Sequence, residues 1–157
     1  MKLLSLSAFL VLSVIPATSA LAQALSSLPP PFQQRIADAA ADCAGFGGIL
    51  TLRWGFVSRP ELSGDGQRDW AMDERRFECS TTPGLYCGTG GCPVQFLIDG
   101  ISSDLLAKQW RVIRFGGAPV VVAYVHGSQC GGTNLNRCVA AQIWENGQWN
   151  VVGGVIP

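Results

Sequence analysis

Residues 138–152 read CVAAQIWENGQWNVV. Two runs rich in strand formers, Cys138–Trp144 and Gln148–Val152, flank Glu145-Asn146-Gly147. Asn and Gly both tolerate positive φ, which a tight hairpin turn needs at its centre, so this stretch predicts a β-hairpin. Trp144 and Trp149 stand opposite each other across the turn and predict a half-buried face. The hairpin sets the class of the domain, because the segments before it repeat the same grammar.

Gln109–Phe115 and Pro119–His126 form two more strand-like runs around Gly116-Gly117. Pro93–Ile98 is a short apolar strand that ends at the turn signal Asp99-Gly100, and residues 102–109 form either a helical turn or a further strand of the meander. Trp70–Phe77 predicts a strand with Trp70, Met72 and Phe77 directed inward, and Ile49–Val57 another, broken by Pro60 and the glycines after it. Only residues 32–44 show helical spacing: Phe32, Ile36, Ala39 or Ala40, and Cys43 share one face, with Pro31 at the start and Gly45–Gly48 at the end. The expected fold is α+β, an N-terminal helix packed on an antiparallel sheet of five to seven strands. No β-α-β unit repeats, which argues against a doubly wound fold.

The first residues carry a different signal. Met1-Lys2 gives a positive start, Leu3–Ile15 is almost wholly apolar, and Ser19-Ala20-Leu21-Ala22 offers the small residues a signal peptidase reads. Residues 1–22 therefore read as a signal peptide, 23–31 as a flexible Ser/Pro/Ala-rich lead-in, and 32–157 as one domain. The apolar run is too short to span a bilayer, and no cysteine follows the cleavage point to take a lipid. The expected location is the periplasm or the exterior, with no integral membrane segment after cleavage. Without Lys2 the chain keeps ten basic and eleven acidic residues, and no basic stripe points to nucleic acid.

All six cysteines, Cys43, Cys79, Cys87, Cys92, Cys130 and Cys138, lie in the exported part. An oxidising compartment and an even count predict three disulfides. Several pairings are open; the preferred set is Cys87–Cys92, Cys130–Cys138 and Cys43–Cys79, the last tying the helix to the sheet. A zinc site using the single histidine, His126, is the rival, but the cysteine spacings lack the tight pairs of structural zinc sites.

The segment Glu61-Leu62-Ser63-Gly64-Asp65-Gly66-Gln67-Arg68-Asp69 places side-chain oxygens at 61, 63, 65, 67 and 69 around two glycines. A hard cation such as calcium takes oxygens from alternate positions of a tight loop, so Glu61, Ser63, Asp65, Gln67 and Asp69 are candidate calcium ligands. The segment resembles the calcium loops of dockerin-like and FG-GAP-like repeats, of the form Asp-x-Asn-Gly-Asp-Gly-x-x-Asp. Asp65, Gly66 and Asp69 match that form directly; Glu61 and Ser63 stand where it has Asp and Asn. The resemblance implies a structural calcium site. The alternative is a plain turn with its charges in water. The rest of the chain, with DERRFEC, CGTGGCPVQF and HGSQCGGTN, resembles small exported proteobacterial proteins of uncharacterised function. That likeness implies a compartment and no reaction.

His126-Gly127-Ser128 invites a base-and-nucleophile reading, since side chains two apart on extended chain share a face. A hydrolase would also need an acid and oxyanion donors, which the sequence does not fix. Glu74 and Glu78, alternating with Arg75 and Arg76, read as a solvated face. The preferred function is an exported binding module for a protein or cell-envelope ligand, presenting the cysteine-closed loops with His126, Ser128, Asn134 and Arg137 as binding residues. A small periplasmic hydrolase using His126 and Ser128, and a purely structural envelope protein, are the alternatives.

Overall fold

The computed structural model describes residues 24–155. The expected signal peptide lies outside the described residues. Helix α1 spans Pro30–Gly45, with prolines in its first turn, where their missing N–H groups cost nothing. Its buried face is Phe32, Ile36, Ala39 and Cys43, as the spacing predicted. Leu25 and Leu28, in the segment ahead of it, pack against the same cluster.

Ten strands follow. The expected strand at 49–57 is interrupted: β1 (Leu50–Leu52) and β2 (Val57–Ser58) are separated by a turn in which Gly55 takes a φ of 81°. The expected strand at 70–77 is interrupted too. After β3 (Trp70–Asp73), the Asp73 carboxylate accepts the Arg75 N–H and caps a single 3-10 turn at Glu74–Arg76, and β4 (Phe77–Cys79) resumes on a new line. Then come β5 (Cys92–Ile98), β6 (Ile101–Ala107), β7 (Gln109–Phe115), β8 (Ala118–Val125), β9 (Cys138–Glu145) and β10 (Gln148–Val155). Residues 102–109 thus continue the meander. The Asn146-Gly147 turn joins β9 to β10 with both residues at positive φ, and Trp149 pairs with Trp144 in the register the sequence predicted.

The strands form three antiparallel sheets where one was expected. β1 pairs with β4; the order β2-β3-β5-β6 makes a second sheet and β10-β9-β8-β7 a third. Layering explains the split. Met72 and Trp70 turn one face of the second sheet to α1, while Ala71, Val94, Phe96 and Ile98 turn the other to Val121 and Trp144 of the third. Phe96 is gripped by two edge-on rings, Trp110 at 5.3 Å and Trp149 at 5.4 Å. Only β3 is covered on both faces; β5 is fully buried on the face toward the third sheet and half-buried on the other, and β6 exposes Ser102, Asp104 and Leu106.

Three disulfides are present, Cys43–Cys79, Cys87–Cys92 and Cys130–Cys138, the preferred set. Cys43–Cys79 ties α1 to β4. Among the described residues no helix is long and apolar enough to cross a membrane.

Candidate functional site

The strand directions gather the loops at two ends of the molecule. At one end lie the start of β5, the β6–β7 junction, the end of β8 and the start of β9. This end holds both short disulfides. At the other lie the Asp99-Gly100 turn, the Gly116-Gly117 turn and the Asn146-Gly147 turn, with the Gly-Asp-Gly loop beside them.

The disulfide end is organised around Lys108. This is the one lysine among the described residues, against nine arginines, a compositional oddity that could have marked it. Its main chain donates to the Tyr124 carbonyl at 2.7 Å and its carbonyl accepts from Arg75 at 3.3 Å. Its ammonium lies 4.7 Å from the centre of the Tyr124 ring and donates to Asn134 Oδ1 at 2.6 Å. The loop closed by Cys130–Cys138 is thereby tied to the β6–β7 junction. The loop closed by Cys87–Cys92 meets the same junction from the other side. Gly88 and Gly91 exchange backbone hydrogen bonds, and a Cβ on Gly91 would collide with the Ala107 and Lys108 backbone, so only glycine fits there.

The four predicted binding residues sit in one segment. His126 is extended and half-buried, and its Nδ1 accepts the Ser128 N–H at 3.2 Å, capping the 3-10 turn Gly127–Cys130. Ser128 Oγ lies 2.8 Å from the same Nδ1. The pair thus meets as the shared face predicted, but the nitrogen that would take a hydroxyl proton already serves as a cap. Gly127 packs against the Thr133 carbonyl so closely that a Cβ would clash. Asn136 Oδ1 accepts from both the N–H and the hydroxyl of Thr133, at 2.8 and 2.9 Å, which closes the loop tip. Arg137 is exposed. Sequence reasoning missed Leu135, which stands 93% exposed at that tip. No Asp or Glu occurs from residue 126 to 138.

The predicted calcium ligands lie at the far end, and the loop itself uses the side-chain oxygens of Glu61, Ser63, Asp65 and Asp69, while Gln67 contributes its backbone N–H. Asp69 Oδ2 accepts the Leu62 N–H at 2.8 Å and the Ser63 N–H at 3.3 Å. Asp65 Oδ1 accepts Ser63 Oγ at 2.9 Å and the Gln67 N–H at 2.7 Å. Glu61 caps the Gly64 N–H and pairs with Arg114. Burial pushes the Asp69 carboxyl up, against the pull of its two N–H donors. Asp65 faces an open cleft of about 610 Å3 shared with Asp99 and Glu145. Among the described residues no group of three or more His, Cys, Asp or Glu is gathered to hold a metal ion.

Two acids occupy unexpected places. Glu74 is 2% exposed rather than solvated, with both oxygens on Arg35 at 2.7 Å. The Asp73 carboxyl, which burial alone would push up, is held below the usual range by the Arg75 side chain and N–H and by the Trp110 indole N–H. The indole bond spans the two large sheets.

No family model, no curated protein and no solved structure matches the chain.

Proposed function

We propose that the protein is an exported binding module that engages a protein partner with its disulfide end. The observation that carries this reading is the fully exposed Leu135, set on a loop that a disulfide, the Thr133–Asn136 turn and Lys108 all hold in place. An apolar side chain in water on a preordered loop loses little freedom on docking and gains by desolvation, as interface anchors do. Lys108 binds the neighbouring Asn134, Arg137 lies two residues on, and no acid occurs from residue 126 to 138, so the fitting partner offers an apolar pocket rimmed by carboxylates. Three disulfides suit an oxidising compartment, and the amino-terminal signal directs the chain to the periplasm or beyond.

The test is capture from periplasmic extract by the immobilised exported domain. Leu135→Asp and Arg137→Glu are expected to lose a partner that wild type holds, while Phe115→Ser, at the far end, keeps it. Equal capture by all three variants would remove the disulfide end from the interface. Calcium at residues 61–69 remains a proposal that rests on residue spacing. A rise in melting temperature at millimolar calcium, lost in Asp65→Asn, would support it, and no rise would dismiss it.

A further inference from the structure

Among the described residues the two-stranded sheet has an open side. β1 pairs antiparallel with β4, with Leu50 opposite Cys79 and Leu52 opposite Phe77. Ser80 donates to the Ile49 carbonyl and Arg53 to the Arg76 carbonyl, so residues 49, 51 and 53 spend their backbone groups on β4. By the alternation of an antiparallel ladder, the N–H and C=O groups of Leu50 and Leu52 point the other way. Among the described residues no strand pairs with that edge.

A groove of about 550 Å3 runs along it. Leu25, Ile36 and Ala40 form one wall, and Ile49–Leu52 the other; no lining residue is ionisable. The Cys43–Cys79 bridge joins α1 to β4 with Cα atoms 5.5 Å apart, which fixes the walls in advance. Two large apolar side chains flank the strand in water: Ile49, 76% exposed, and Trp54, 95% exposed.

We infer that this edge is a second binding site, which takes an extended, uncharged peptide strand of a partner in antiparallel pairing with β1. The edge demands donors and acceptors at a two-residue repeat, which an extended backbone supplies and a lipid or small apolar molecule does not. The groove demands apolar side chains at alternate positions. A second copy of this chain cannot meet that demand. A β1–β1 pairing about a twofold axis keeps the faces of the strands, so the partner would offer Leu50 and Leu52 to the groove. Both are already packed against their own core. The site goes beyond the disulfide-end reading and stands or falls apart from it, since none of its residues lie there.

The experiment uses a fluorescent heptapeptide of alternating threonine and valine with a lysine at each end, titrated by anisotropy against the exported domain. In the antiparallel pairing the groove-facing valines turn their N–H groups to β1. Methylating the valine nitrogens is expected to weaken binding at least about tenfold, the loss of one or two hydrogen bonds, while methylating the threonine nitrogens leaves it unchanged. Ala40→Arg, at an exposed helix position, fills the groove and is expected to weaken binding by a similar factor with an unchanged melting temperature. Leu135→Asp binds the peptide as wild type does. Equal binding of the two methylated peptides, or no binding of the parent at about 1 mM, would overturn the inference. So would self-association in sedimentation that Ala40→Arg abolishes, which would give the edge to a second copy.

Discussion

At the scale of the residue, the buried acids set the terms. Glu74 precedes two arginines in sequence and looked solvated; a 3-10 turn rotates it inward onto Arg35, a partner 39 positions away. Removing one member of such a pair strands the other, so Glu74→Ala is expected to cost about 3 kcal/mol in urea unfolding, while Glu78→Ala, at an exposed pair with Arg53, costs under about 1 kcal/mol. Asp69 and Asp73 pull stability in opposite directions with pH. The folded pKa of Asp73 is depressed, so its contribution is present above about pH 4 and is lost as pH falls through the folded value. The folded pKa of Asp69 is raised, so its contribution is present below about pH 4 and is lost as pH rises through the folded value. Asn at 69 keeps an oxygen for the Leu62 N–H without the buried charge. Asp69→Asn is therefore expected to melt above wild type at pH 7, with the gap closing in acid; a gap that widens in acid would refute the assignment. None of this was legible in the sequence, because a carboxylate's partner is chosen by packing between distant segments.

At the scale of the element, the sequence was most readable where two neighbours in the chain are also neighbours in space. The β9–β10 hairpin, the β5–β6 turn and the face of α1 all obey local rules: positive φ at Asn146-Gly147 and Asp99-Gly100, and helical spacing from Phe32 to Cys43. The local disulfides follow the same logic. The breaks in the strands at 53–56 and 74–76 were not readable, because each is only three or four residues long with strand formers on either side, while the chain changes sheets across it. Disulfides differ by the loop they close. Replacing Cys43 and Cys79 with alanine is expected to cost about 4 kcal/mol, and replacing Cys130 and Cys138 about 2.5 kcal/mol, measured by urea unfolding without reductant. The smaller loss should come with a larger functional one, since the second bridge holds the loop of Leu135. Gly91→Ala, which drives a Cβ into the β6–β7 junction, is expected to lower the melting temperature more than Gly116→Ala, whose Cβ meets open space, even though both glycines have positive φ.

At the scale of the molecule, three layers and two loop ends emerge from a plain antiparallel meander. β5 and β8 lie inside their sheets, whereas β2 has two residues and an outer position. Amide hydrogen exchange should therefore be slowest in β5 and β8 and fastest in β2; fast exchange in β5 would deny that the central sheet is the core. The sequence by itself determined the class, the helix face and most strands, since each follows from spacing and turn chemistry within a few residues, and it favoured the disulfide set that formed while leaving other pairings open. It also named His126, Ser128, Asn134 and Arg137 as one segment. Only the tertiary structure decided that the sheet divides in three, that both short disulfide loops meet at Lys108, that Glu74 is buried, that Leu135 stands in water and that the edge of β1 is unpaired among the described residues. The physical reason is common to all five. Each depends on which faces of distant elements are desolvated against one another, and burial is a property of the packed whole that no local pattern encodes.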